Sequence, residues 1–279
     1  MNEEHERITE QRNPASEDLS RLTTRALVGL MNAEDRYVAE AVGEVLDDVA
    51  AAVDLAVARL GAGGRLFYLG AGTSGRLGVL DASECPPTFG VPPDLVQAVI
   101  AGGPEAVFAA RENAEDDEGA AAADLSARGF SAGDVLVGLS ASGVTAYVLG
   151  AIKYASDLGA STVGVSCNPE APLRELCQVF IAAVVGPEIL AGSTRLKCGT
   201  AQKMILNMIS TATMVRLERV LGNLMIDVRP TSAKLRQRAV GIIQQLTGVS
   251  EGEAERALEA SAGNVRKAIL ALGGEIDKG

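Results

Sequence analysis

The chain has 279 residues, 47% of them hydrophobic, and a formal net charge of −11. That length suits one large domain plus an accessory piece. The acidic balance, with no basic block, argues against a nucleic-acid or anionic-membrane surface. Aromatics make up only 3% and tryptophan is absent, so the core must be built from Ala, Val, Leu and Ile. Such a core suits helices packed on a buried parallel sheet.

Residues 1–15 read as a polar arm holding the one histidine, His5, as a solvated terminal residue. Acid–base chemistry then falls to carboxylates, Lys, Tyr or Cys, and a zinc site of the usual His/Cys type is not expected. Residues 16–60 carry apolar positions at helical spacing, among them Val38, Val42, Val45, Leu46, Val49 and Val53. Asn32 with Asp35 reads as a cap between two helices there, and Gly61–Gly64 ends the second. Five apolar runs follow, RLFYLG (65–70), LVQAVI (95–100), DVLVGLS (134–140), STVGVS (161–166) and VFIAAVV (179–185), alternating with helical stretches. This alternation predicts βαβ units and a parallel sheet covered on both faces. A long helix is expected from Thr200 to Val220, then a connector at 221–228 ended by Pro230. Residues Ser232 to Leu272 predict a compact three-helix piece similar to ubiquitin-associated modules, or a plain helical cap on the main domain. The expected division is 1–60 for the arm and first helices, 61–230 for a ligand-binding domain and 231–279 for the helical module. The four cysteines show no CxxC pair, and no leader or long apolar span is visible, so reduced buried thiols in a cytoplasmic protein are expected.

Two segments carry the chemistry. LGAGTSGRLGVLDASECPP (69–87) passes from a strand through a Gly/Thr/Ser turn into a helix and delivers Glu84 in the rigid context ECPP. Backbone N–H groups and the hydroxyls of Thr73 and Ser74 around Gly72 suit an anion there. GLSASGVTAYV (138–148) sets Ser140, Ser142 and Thr145 around Gly143 ahead of another helix. An ordinary helix cap would explain either turn alone; the matching pair favours phosphate binding. GAGTSG lacks the full dinucleotide spacing, and no acidic residue ends a second strand. The residues themselves reach as far as a sugar phosphate.

The strand–SxSGxT–helix loop resembles the sugar isomerase (SIS) domain family. AGGPEAVFAARENAEDDEGAAAADL, GVSCNP, GPEILAGSTRLKCGTAQKMILNMIST and GNLMIDV, with ITEQRN near the start, extend the likeness over nearly the whole chain to the N-acetylmuramic acid 6-phosphate etherases. The resemblance implies an α/β fold, a three-layer αβα sandwich on a five-stranded, mostly parallel sheet. It also implies a homodimer with the active site near the subunit interface, a sugar-phosphate substrate, and no cofactor or metal. The implied reaction cleaves the D-lactyl ether to give N-acetylglucosamine 6-phosphate and D-lactate. In the sites that match, Glu84 would be the acid for the departing lactate and Glu115 the base for the C2 proton. Gly72, Thr73, Ser74, Ser140, Ser142, Gly143, Thr145, Ser193 and Lys197 would contact substrate.

Locally Glu115 sits in an acidic run, Glu112 to Glu118, of the kind that usually faces solvent. Arg195 and Lys197 could equally serve a salt bridge or the helix start. Two rival functions stay open on the same fold, an aldose–ketose isomerase and a non-catalytic sugar-phosphate sensor. The pair of glutamates favours the etherase.

Overall fold

The computed structural model describes residues 7–228, 230 and 232–276, with the Glu112 side chain left aside; His5 falls outside these residues. Five strands form one sheet in the order β2-β1-β3-β4-β5: β1 (Leu66–Gly70), β2 (Val96–Ile100), β3 (Val135–Leu139), β4 (Ser161–Ser166) and β5 (Val179–Ala182). All four pairings are parallel, and β1 sits in register with both neighbours, Leu66 facing Val96 on one side and Val135 on the other. The apolar runs became strands because β1, β3 and β4 are buried along their whole length, where β-branched and aliphatic side chains pack on both faces.

Alternate residues feed two cores. Leu66 and Tyr68 join one with Val137, Val163 and Ile181, covered by α1 (Thr24–Gly43), α2 (Leu46–Gly61), α3 (Gly72–Phe89) and α7 (Lys197–Arg216). Phe67, Leu69 and Leu136 join the other under α4 (Ala120–Ala127), α5 (Ala146–Asp157) and the short α6 (Leu173–Leu176). The largest buried side chains include Tyr68 in the first core and Tyr147 in the second. The first two helices therefore share the sheet's core.

One expectation is corrected here: α1 runs unbroken through Asn32 and Asp35, and the break comes at Glu44–Val45. Both polar residues point to solvent, where their side chains need not compete with the helix backbone. Thr23 supplies the true cap, its hydroxyl accepting from Ala26 N–H.

The C-terminal piece forms three helices, α8 (Ala233–Thr247), α9 (Glu251–Ala260) and α10 (Val265–Ala271), around a third core of Ile226, Ile243, Leu258 and Ile269. Ser250 and Glu253 form a capping box at the start of α9. Asp227 joins this piece to the rest through Arg266 (2.8 Å) and Arg219 (3.7 Å). Among the described residues no helix is long and apolar enough to cross a membrane. The four cysteines are free, with Cys85, Cys167 and Cys198 buried.

Candidate active site

The strand order makes the crevice. From β1 the chain leaves through α3 on one face to reach β2, and from β3 it leaves through α5 on the other face to reach β4. Adjacent crossovers on opposite faces leave an opening at the carboxyl ends of β1 and β3, the usual ligand position in a doubly wound sheet. The two Gly/Ser/Thr turns border this opening, each ending at a helix N-terminus that favours an anion.

After β3, Ser140 is buried and its Oγ lies 2.8 Å from Thr145 Oγ1, while Gly143 N–H donates to the same Ser140 Oγ at 2.9 Å. Asn168 braces the turn from β4, its Nδ2 donating to the Ser142 carbonyl at 3.2 Å. Gly143 has φ +71°, and a Cβ there would fall 2.2 Å from Ala171 Cβ. Only glycine fits. Gly143→Ala is expected to lower stability by about 3 kcal/mol, from left-handed backbone strain and overpacking. Thermal unfolding of the variant, together with loss of sugar-phosphate binding in calorimetry, checks this.

After β1, a Cβ on Gly75 would approach Gly70 O to 2.6 Å, so glycine lets α3 start tight against its own strand. Ser74 Oγ donates to Gln202 Oε1 of α7 at 2.8 Å. Gly72 and Arg76 of α3 line a cavity of about 200 Å³ with Ala106, Arg111 and Glu115. Arg76 Nε donates to the Val107 carbonyl (3.0 Å), which ties that wall to α3. Glu115 stands on a 3₁₀ turn (Glu112–Asp116) at the mouth of this cleft. Partial burial, with a smaller push from Asp116, raises its pKa above the ordinary carboxylate value.

Glu84 lies elsewhere. It is exposed on α3, about 18 Å beyond Gly72 at the usual helical rise. Pro86 and Pro87 follow it inside the same helix, which runs on to Phe89. Within one chain the two glutamates do not converge.

The segment 192–203 arranges its residues differently again. Glu188 is fully buried, and its carboxylate accepts from the Lys197 and Cys198 N–H groups (3.0 Å each), closing the start of α7. Lys197 is buried, with Nζ donating to Glu34 Oε2 of α1 at 2.7 Å. Ser193 and Arg195 precede the helix, Ser193 half-buried and Arg195 exposed. A Cβ at Gly199 would sit 3.5 Å from Thr73 Cγ2, so α7 starts directly against the first turn of α3.

Residues 38–156 match the glucokinase regulatory protein N-terminal SIS domain, and residues 222–269 match the C-terminal lid domain of glucokinase regulatory protein. An N-acetylmuramic acid 6-phosphate etherase of Pectobacterium atrosepticum is 56% identical over 265 residues, 95% of this chain and 88% of that protein. The chain belongs to the N-acetylmuramic acid 6-phosphate etherase family. The Serratia proteamaculans etherase is 54% identical over 97% of this chain and 91% of its own length. Among solved structures, phosphoheptose isomerase GmhA from Neisseria gonorrhoeae superposes with a TM-score of 0.52 at 20% identity, over 68% of this chain and 98% of that one, which fixes the fold alone.

For this family member the structure adds polar groups that the sequence reading passed over. Asp81 is buried on α3, accepting from Asn207 Nδ2 (2.6 Å) and Ser210 Oγ (3.1 Å) of α7. Burial raises its pKa against those bonds and the nearby Tyr68 hydroxyl, and among the described residues its Oδ2 has no hydrogen bond within ordinary distance. Glu34, Asn13 and Glu188 are likewise buried or nearly so. Glu188, nine residues ahead of Lys197, stands too far from the start of α7 to read as its cap. Asn13 ahead of Pro14 had the local look of a turn cap, and it does accept from Ala15 N–H, but nothing local signalled its bond to Pro187 or that of Glu34 to Lys197, 174 and 163 residues away.

Proposed function

We propose that this chain cleaves the D-lactyl ether of N-acetylmuramic acid 6-phosphate by elimination and water addition, giving N-acetylglucosamine 6-phosphate and D-lactate. The observation that carries the reading is Glu115 in one cleft with the first turn of α3, on a turn packed against α5, in a chain more than half identical to named etherases. The phosphate sits on Ser140, Ser142, Gly143 and Thr145, with Gly72, Thr73 and Ser74 facing the sugar. Opening of the sugar ring exposes an aldehyde that acidifies the C2 proton. Glu115, more basic than an ordinary carboxylate, takes that proton. The C3–O bond then breaks, with Glu84 giving lactate its proton and leaving an unsaturated aldehyde. Glu84 next takes a proton from water as the oxygen adds at C3, and C2 is reprotonated. No net proton is consumed.

Glu84 reaches this chemistry from a second copy of the chain. The exposed side of α7 carries an apolar hollow of about 630 Å³ between Met204, Met208, Ala212 and Val215. Asn207 lines it and holds Asp81, one turn before Glu84 on α3. A homodimer formed along this face carries Glu84 out of its own subunit toward the partner's crevice, which supports an active site at the interface. The role fits peptidoglycan recycling in the cytoplasm, where buried thiols stay reduced.

Proton and deuterium NMR of the protein with N-acetylmuramic acid 6-phosphate in deuterated water tests the reading. Lactate release with deuterium at C2 of the product is expected. Isomerisation to a ketose would establish the isomerase alternative, and binding without exchange or release would establish the sensor.

A further inference from the structure

Residues 9–13 do not lie free at the edge of the molecule. Thr9 and Asn13 are buried, at 0% and 7% exposure, in a stretch otherwise made of Glu10, Gln11 and Arg12. Asn13 Nδ2 donates both to Glu34 Oε2 (2.7 Å) and to the Pro187 carbonyl (3.0 Å). Gly192 N–H donates to the Thr9 carbonyl at 3.2 Å. The arm thus crosses the loop from Gly186 to Leu196 at both ends.

Glu34 Oε2 is the shared point, because Lys197 Nζ donates to it as well. The side chains are 4% and 15% exposed for Lys197 and Glu34. Burial works against the charge on Glu34, yet the bonds from Lys197 and Asn13 leave its pKa below the ordinary carboxylate value. A buried ion pair adds little net stability compared with an apolar pair of the same size, but it fixes one arrangement where apolar groups tolerate several. Lys197 is the first residue of α7, and its N–H is already capped by Glu188. Lys197 and its amide are therefore both committed, and what they hold is the helix start. Two contacts carry that position into the crevice: Gly199 against Thr73, and Gln202 against Ser74.

We propose that Asn13 and Glu34 are positioning residues for the reaction: with Lys197 they strap the arm over the 186–196 loop and set the start of α7, which in turn places Thr73 and Ser74 at the mouth of the crevice. Neither residue touches the sugar. The proposal rests on the etherase reading for its kinetic arm, while its mechanical arm stands apart from it.

The test compares full-length wild type with Asn13→Ala and with the double variant Glu34→Leu/Lys197→Met, which replaces the ion pair by apolar groups. Two readings are taken: steady-state lactate release and amide hydrogen exchange by mass spectrometry. For Asn13→Ala, kcat is expected to fall about ten- to a hundredfold, as for a small misplacement of reacting groups. KM should stay within about threefold, and faster exchange should be confined to 186–203. The double variant should keep its melting temperature without recovering kcat. The proposal is overturned if Asn13→Ala keeps wild-type kcat. It is equally overturned if exchange rises evenly through β1 and β3, or if the double variant regains activity along with stability, since a merely structural strap behaves that way. Should wild type release no lactate, the etherase reading fails and exchange at 186–203 alone decides the strap.

Discussion

Glu84→Ala is expected to slow lactate release about a thousandfold, the scale of a lost general acid, while C2 of N-acetylmuramic acid 6-phosphate still exchanges with deuterated water. The two readings separate because Glu115 and the two Gly/Ser/Thr turns remain in place. Glu84 is exposed on α3, so its removal leaves neither a cavity nor a buried orphan, and thermal unfolding should not move by more than about 0.5 kcal/mol. Release and exchange followed by NMR on one sample check both statements. Loss of exchange together with release would assign Glu84 to proton abstraction instead.

The second large effect concerns pairs of variants. Glu115→Gln should abolish exchange and release together, because among the described residues that line the cleft with Gly72 and Arg76 it is the one carboxylate. If each site takes Glu115 from one chain and Glu84 from the other, the two dead variants rescue each other. Random mixing makes half the dimers mixed, each with one intact site of two, so unfolding and refolding them together should restore about a quarter of wild-type activity. Sites complete within one chain would restore none. The 18 Å or so along α3 between Gly72 and Glu84 makes rescue the expected result.

The strands were legible as short apolar runs, and in β1, β3 and β4 burial along the whole length left little for tertiary context to override. The Gly/Ser/Thr turns were legible for a related reason: Gly143 and the hydroxyls beside it are local requirements. The first helices were misread because Asn32 and Asp35 look like caps in a one-dimensional pattern, whereas on the solvent side of α1 they are merely tolerated. Asn13, Glu34 and Asp81 could not be found from the sequence. A carboxylate in a helix looks the same whether it faces water or a lysine 163 positions away, and only the packing of α1 and α3 on α7 tells the two apart. The separation of Glu84 from Glu115 was hidden likewise, since motifs carry order and not distance.

The all-parallel sheet also governs how the molecule comes into being. No hairpin can nucleate it, because every pairing waits for a crossover to close. The pair that frames the crevice, β1 with β3, joins Leu66 to Val135, roughly seventy residues on. A nascent or partly folded chain lacking that long-range contact has both Gly/Ser/Thr turns in its sequence and no cleft between them. The cleft therefore waits for the longest-range strand pairing of the sheet, the kind of non-local contact that slows folding, and does not form by degrees.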